Sequence, residues 1–236
     1  MLKAKNQMVW LRLVACIGLA ACFMILGHVI IMNSEEGADL SLMDSWVSQF
    51  TASDRFGWII KLSIMLYCLA IADVVAILMG LRAYHRASPL MTFVWLMVGT
   101  AMIGGLLLVI MYEMYQPGLL DWIVDFFRAP TKSEVAGGLH SIGFATFVAG
   151  FLAASVLKLF LEWREGLTNR LPVSAWFVAL SLIILAWLLV MRDQSLLPGI
   201  PQRATLVLVT MWLLRTAHGA IAGAPIHDAA DSRTTQ

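Results

Sequence analysis

Two ionisable residues, Asp73 and Arg215, lie deep within apolar stretches of the sequence. A charge in hydrocarbon is costly, so such a residue is expected to have a partner and to mark a functional position. With a rise of about 1.5 Å per residue, Asp73 lies about 22 Å and Arg215 about 16 Å from the same end of their predicted helices. We therefore predict an intramembrane ion pair, which could fix helix packing or act as a relay for a proton or substrate.

A second group of polar side chains stands at the ends of four predicted helices: His28, Lys61, Glu113 and His140, with Ser141 next to His140. Imidazole and carboxylate groups could bind a polar headgroup, a proton or a metal. No metal site is predicted, because the spacing matches no motif such as H-E-x-x-H. His28 and His140 could instead ligate a haem between helices, and the simplest alternative is that each residue faces interfacial water. We predict a ligand-binding cluster and no cofactor.

Composition places these residues in a membrane protein. Of the 236 residues, 60% are hydrophobic and 13% charged, whereas a soluble domain has about 25% charged residues. The net charge of +1 gives no basic surface for nucleic acid. No G-x-S-x-G motif or other catalytic signature is present, so an enzyme is not predicted.

Six windows have the length of roughly 20 apolar residues that a spanning helix needs: residues 9–32, 58–81, 90–112, 139–161, 175–191 and 204–223. The predicted fold is all-α, a polytopic bundle of six transmembrane helices. It forms one domain over residues 1–223, followed by a polar tail over residues 224–236.

Two loops contain amphipathic stretches. In the first loop, apolar residues recur at helical spacing behind Ser41 and Asp44, a start signal of the capping-box type; they are Met43, Trp46, Val47 and Phe50. The third loop has the stripe Leu119, Trp122, Ile123, Phe126 and Phe127. Both stretches predict short helices at the membrane interface, as aromatic anchors or as a lid.

The distribution of Lys and Arg predicts the orientation, because basic residues near helix ends tend to stay cytoplasmic. With the N-terminus inside, nine of the 16 basic residues lie inside and six outside, and Arg215 lies within the sixth helix. We predict a bacterial cytoplasmic membrane protein with both termini cytoplasmic. The two loops and the polar cluster then face outward.

Small residues at four-residue spacing allow helices to approach closely. The pairs are Gly219 and Gly223, Ala101 and Gly105, and Ala145 and Ala149. They predict tight packing within the bundle, or contact with a second copy or a membrane-protein partner.

Several short motifs occur in a characteristic order along most of the chain: Ser48-Gln49-Phe50, Phe56-Gly57-Trp58, the stretch 125–130, Gly138-Leu139-His140-Ser141 and Pro201-Gln202-Arg203. This order resembles a bacterial and archaeal membrane family known as domain-of-unknown-function family 998. The resemblance implies a six-helix bundle, and it suggests that His140 and the loop before it belong to the site that the family uses.

We therefore predict a non-enzymatic protein whose outer pocket, roofed by the third loop, binds a membrane lipid headgroup or small amphiphile. Three alternatives remain open. They are a proton-coupled or small-solute transporter using Asp73 and Arg215, an accessory subunit of a larger membrane protein, and a lipid-active enzyme using His140 and Glu113.

Overall fold

A computed structural model of the protein describes residues 2–37, 39–42, 45, 47–51, 53–84, 89–111, 132–164, 166–190 and 199–222. The predicted amphipathic stretch of the third loop, Glu113 and the C-terminal tail lie outside the described residues.

The described part of the chain is helical, without strands. It contains seven α-helices and one 3-10 turn, Glu35–Gly37: α1 Leu2–Met32, α2 Val47–Thr51, α3 Gly57–Tyr84, α4 Pro89–Met111, α5 Lys132–Arg164, α6 Leu171–Val190 and α7 Gly199–Ala222. Six of these helices have 20 or more residues and coincide with the six apolar windows. Proline in the first turn of α4, α6 and α7 fits the helix start, where a missing N–H costs nothing.

Within the described residues, four helices are long and apolar enough to cross a bilayer, over the segments Gln7–Met32, Gly57–Met79, Leu90–Met111 and Ile142–Arg164. Leu171–Trp187 is a shorter apolar helix, and the described part of α7 belongs to neither group. The all-helical membrane fold therefore agrees with the sequence, whereas a total of six spans stays a prediction.

Consecutive long helices pack side by side, and their contacts give the directions. Along α1 and α3, Gly27 lies against Ile60, the Ser63 hydroxyl donates to the Ala20 carbonyl at 2.6 Å, and Arg12 pairs with Asp73. Residue numbers fall along α1 as they rise along α3, so the two helices are antiparallel. We call the end where α1 stops and α7 begins the first-loop end; α5 stops and α6 begins at the opposite end.

Glycine brings α4 and α5 together most closely. A Cβ on Gly105 would overlap the backbone carbonyl of Gly143 and would lie 2.7 Å from the Phe147 nitrogen. Gly105 is one of the predicted small packing residues, and here its missing side chain lets two helix backbones touch.

The last helix, α7, packs against α1, α3 and α6. Tyr67 on α3 hydrogen-bonds Thr210 on α7 at 2.9 Å, and Trp10 on α1 lies against His218 on α7 with ring centroids 5.9 Å apart. Because Trp10 is near the start of α1 and His218 near the end of α7, these two helices are also antiparallel.

The first loop contains a shorter helix than its pattern predicts. Helix α2 has five residues and begins at Val47, and Phe50 within it is fully buried. Met43, Asp44 and Trp46 lie outside the described residues, so a longer amphipathic helix stays a prediction.

Candidate functional site

Buried polar side chains gather around Phe50 at the first-loop end. His28, in the last two turns of α1, is 5% exposed, and its ring centroid lies 4.2 Å from that of Phe50. The Arg203 guanidinium, in the second turn of α7, lies 5.5 Å from the centroid of the same ring. We call His28, Phe50, Gln202 and Arg203 the Phe50 cluster.

The first loop and the start of α7 hold this cluster in place. The Val47 amide donates to the Gln202 side-chain oxygen at 2.6 Å, and Arg203 Nη1 donates to the Ser45 carbonyl at 3.0 Å. Gly199 allows the first loop to approach the start of α7 closely, since a Cβ at this position would lie 2.5 Å from the Ser45 carbonyl oxygen. A larger residue at position 199 would push the loop away.

Two atoms of the Phe50 cluster are buried without a hydrogen-bond partner within the described residues: His28 Nε2 and Arg203 Nη2. The opposite imidazole nitrogen, His28 Nδ1, is satisfied by the Met24 carbonyl at 2.6 Å. Leaving a buried polar group unpaired costs about 1–3 kcal/mol. Two such atoms around one ring make this cluster a candidate site for an ordered water or a ligand.

A second polar cluster lies at the opposite end and joins α5, α6 and α7. Lys158 Nζ lies 2.9 Å from Glu162 Oε1, and the Ser174 hydroxyl donates to Glu162 Oε2 at 2.5 Å. Arg215 donates to the Ser174 hydroxyl and to the Arg170 carbonyl, each at 3.1 Å. We call Lys158, Glu162, Ser174 and Arg215 the Glu162 cluster.

Local backbone structure positions Glu162. Gly166, with φ of 70°, ends α5, and its amide donates to the Trp163 carbonyl at 3.1 Å. The Leu167 amide donates to the Glu162 carbonyl at 2.9 Å. These two bonds form a Schellman motif, which favours glycine at the left-handed position and fixes the last turn of α5.

Asp73 and Arg215 do not form the predicted ion pair, because each of them has another partner. Asp73, buried on α3, accepts hydrogen bonds from Arg12 on α1, including one from Nε at 2.9 Å. Arg215 instead turns toward α6, where it contacts Ser174 and lies 5.9 Å from the Phe177 ring centroid. The physical reason is helix rotation: α7 presents Arg215 to α6, and antiparallel α1 brings Arg12 level with Asp73.

The predicted polar residues that the structure describes stand on α1, α3 and α5, and their grouping into one site stays a prediction. His28 belongs to the Phe50 cluster, whereas Lys61 is exposed on α3. His140 is 3% exposed on α5, a helix that packs chiefly on α4 and α6. Ser141 lies in α5, its side chain is not described, and Glu113 falls in the undescribed third loop. Among the described residues, no three His, Cys, Asp or Glu side chains form a group that could hold a metal.

Sequence reasoning missed Gln202, Arg203, Lys158, Glu162 and Ser174 as site residues. Opposite charges four residues apart, as in Lys158 and Glu162, were a visible signal for a contact on one helix face. Gln202 and Arg203 stood in the motif that opens the last helix, but nothing in that motif identified Phe50 as their neighbour.

One cavity lies between α3, α4, α5 and α7, with Trp95, Met102 and Trp212 in its wall. Its volume of about 10 Å³ is room for roughly one water molecule. A lipid headgroup does not fit there. The Phe50 cluster is the candidate ligand site because two of its buried atoms have no hydrogen-bond partner within the described residues.

The described part of the chain is a helical bundle, and four of its apolar helices are long enough to span a bilayer, which fits a helical membrane protein. Buried polar clusters at both ends are consistent with this class. The family model DUF998, described as a protein of unknown function, matches residues 14–219. The chain belongs to this family, which confirms the resemblance seen in its motifs. No curated protein and no solved structure matches the chain.

Proposed function

We propose that this protein is a non-enzymatic membrane protein that binds the polar headgroup of a lipid or small amphiphile at the Phe50 cluster. The observation that supports it is the pair of buried atoms, His28 Nε2 and Arg203 Nη2, without partners among the described residues. Both side chains contact Phe50, so one small headgroup could reach both.

The proposed site differs from the one predicted from sequence. It keeps His28, adds Gln202 and Arg203, and lies under the first loop. We propose that this end faces outward in a bacterial cytoplasmic membrane, as the distribution of basic residues favours. Labelling a cysteine introduced at the exposed Asp54 with an impermeant reagent in intact cells would test the orientation; protection of that cysteine would contradict it.

Native mass spectrometry of the protein purified in mild detergent tests the binding. Wild type is expected to retain an amphiphile, and Arg203→Gln is expected to lose it. Lys61→Gln is the matched control, because Lys61 lies in the first turns of α3, at the same end, but is exposed. Absence of any retained amphiphile from wild type, or equal loss in both variants, would contradict the proposal.

A further inference from the structure

The two unpartnered atoms of the Phe50 cluster have opposite hydrogen-bonding character. His28 Nδ1 lies 2.6 Å from the Met24 carbonyl oxygen. A carbonyl oxygen only accepts, so Nδ1 carries the proton, and in a neutral imidazole Nε2 is then an acceptor. Arg203 Nη2 can only donate. A ligand that satisfies both atoms must bring one acceptor and one donor.

The charge at this end specifies the acceptor. Arg203 keeps its positive charge in proteins, and its described partners are the Ser45 carbonyl and the Phe50 ring. Within the described residues, the ion pairs are Arg12 with Asp73 and Lys158 with Glu162. No carboxylate from that part of the chain compensates Arg203. An anionic oxygen is therefore the acceptor that would gain most from Nη2, through a charge-assisted hydrogen bond.

We infer that the ligand headgroup combines an anionic oxygen, which binds Arg203, with a hydroxyl or ammonium donor, which binds His28. This inference rests on the proposed function and specifies its ligand class. Phosphodiester lipids esterified to glycerol or ethanolamine have both groups. A choline ester has the phosphate without a donor, and a diacylglycerol has a donor without the anion.

The enclosed geometry limits the size of this headgroup. Phe50 and Ser45 are buried, at 0% and 5% exposure, and Gly199 has no room for a methyl group beside the Ser45 carbonyl. A headgroup that reaches both His28 and Arg203 has to move part of this packing, and a large oligosaccharide would move the most. We therefore expect a small headgroup, of the size of phosphoglycerol or phosphoethanolamine.

The experiment measures binding of defined lipids to delipidated full-length protein by native mass spectrometry. Four probes are titrated: phosphatidylglycerol, phosphatidylethanolamine, phosphatidylcholine and diacylglycerol. We expect the first two to bind about tenfold or more tightly than the last two, since each probe of the second pair lacks one hydrogen bond. Glycerol phosphate is a water-soluble competitor, and its affinity shows whether the site binds a lipid or a free anion.

Two variants assign the two groups. Arg203→Gln should bring phosphatidylglycerol down to the affinity of diacylglycerol. His28→Phe retains an aromatic contact with Phe50 and deletes the acceptor, so it should bring phosphatidylethanolamine down to the affinity of phosphatidylcholine. Thermal melting without lipid identifies a variant that fails to fold. In that case the order of affinities of the four lipids for wild type still tests both the anion and the donor requirement.

Each contrary result overturns one requirement of the inferred headgroup. If phosphatidylcholine binds wild type as tightly as phosphatidylethanolamine, the donor requirement is wrong; if diacylglycerol binds as tightly as phosphatidylglycerol, the anion requirement is wrong. Either result leaves amphiphile binding intact. Binding of none of the lipids would overturn the proposed function itself, and equal affinity for glycerol phosphate alone would replace the lipid by a free anion.

Discussion

The two ends of the bundle both contain buried polar clusters, but they differ in how their charges are compensated. In the Glu162 cluster, Lys158 and Glu162 form an ion pair at 2.9 Å, although Glu162 Oε1 has no partner with hydrogen-bond geometry within the described residues. Glu162 Oε2 accepts from Ser174, and Arg215 has a hydroxyl and a carbonyl as acceptors. In the Phe50 cluster, Arg203 has no carboxylate partner within the described residues, and His28 and Arg203 each have a buried atom without a hydrogen-bond partner there. An ion-paired network holds helices together, whereas a buried charge without a counter-ion has capacity left for an anionic ligand.

The same comparison changes the interpretation of Arg215. Its depth in the last helix made it a candidate for a relay, but its contacts join the start of α6 to α7. Helix packing and the ion pair with Lys158 account for the contacts of the Glu162 cluster. In the Phe50 cluster the arginine has no carboxylate partner within the described residues, and for that reason we propose ligand binding there.

The largest expected effect comes from breaking the Glu162 cluster. Glu162→Leu leaves the Lys158 ammonium, whose side chain is 14% exposed, without its carboxylate. Breaking a buried pair from one side costs about 3–5 kcal/mol, so thermal melting in mild detergent should show a clear loss of stability. The double variant Lys158→Met, Glu162→Leu should recover most of it. Equal melting of the single and double variants would contradict a packing role.

The second-largest loss of stability is expected from a substitution that pushes the first loop away from α7. Gly199→Ala places a methyl group 2.5 Å from the Ser45 carbonyl oxygen, and such overpacking costs about 1–3 kcal/mol. Thermal melting should register this loss, together with weaker lipid retention. The control is Gly18→Ala, where a Cβ meets nothing within 4 Å; the idea fails if both variants melt like wild type.

A smaller effect is expected for Arg203→Met in protein stripped of lipid. The variant loses the hydrogen bond to Ser45, worth about 1 kcal/mol, and also removes a buried charge. Melting with phosphatidylglycerol at about 100 times Kd should stabilise wild type by about 2.7 kcal/mol and leave the variant unchanged. An equal lipid-induced shift in both proteins would show that Arg203 does not bind the headgroup.

The smallest effect is expected at Lys61. Its side chain is exposed on α3, and exposed substitutions usually change stability by less than about 0.5 kcal/mol. Lys61→Ala should therefore match wild type in melting and in lipid retention. A loss of lipid in this variant would extend the site to α3, as the sequence first suggested.

The sequence predicted the helices well because apolar length is a local property. All six apolar windows coincide with long helices, and His28 was identified as a candidate from its position at a helix end. The partner of Asp73 was not predictable in the same way. Arg12 was counted among the basic residues that orient the chain, and only the packing of α1 on α3 shows that it faces Asp73.

Arg203 illustrates the same limit. In the sequence it was one of the basic residues counted for orientation and a member of the motif Pro201-Gln202-Arg203. Its contact with Phe50 depends on how the first loop folds back, which involves residues 158 positions apart in the chain. Such long-range contacts are decided by tertiary packing and not by spacing.

The pairing of Arg12 with Asp73 also bears on how the chain is made. The two residues are 61 positions apart, so at about 5–20 residues per second the ribosome supplies the carboxylate about 3–12 s after the cation. Arg12 lies near the start of the apolar segment of α1 and its side chain is 63% exposed, so it does not oppose insertion of that helix, whereas Asp73 is buried within α3 and is costly in lipid without a partner. The cation is therefore made before the carboxylate that needs it, and we expect α1 to assist the entry of α3. Substituting Arg12→Gln should lower the inserted fraction of α3; unchanged insertion would contradict this order. Helix α3 would then owe part of its stability in the bilayer to α1.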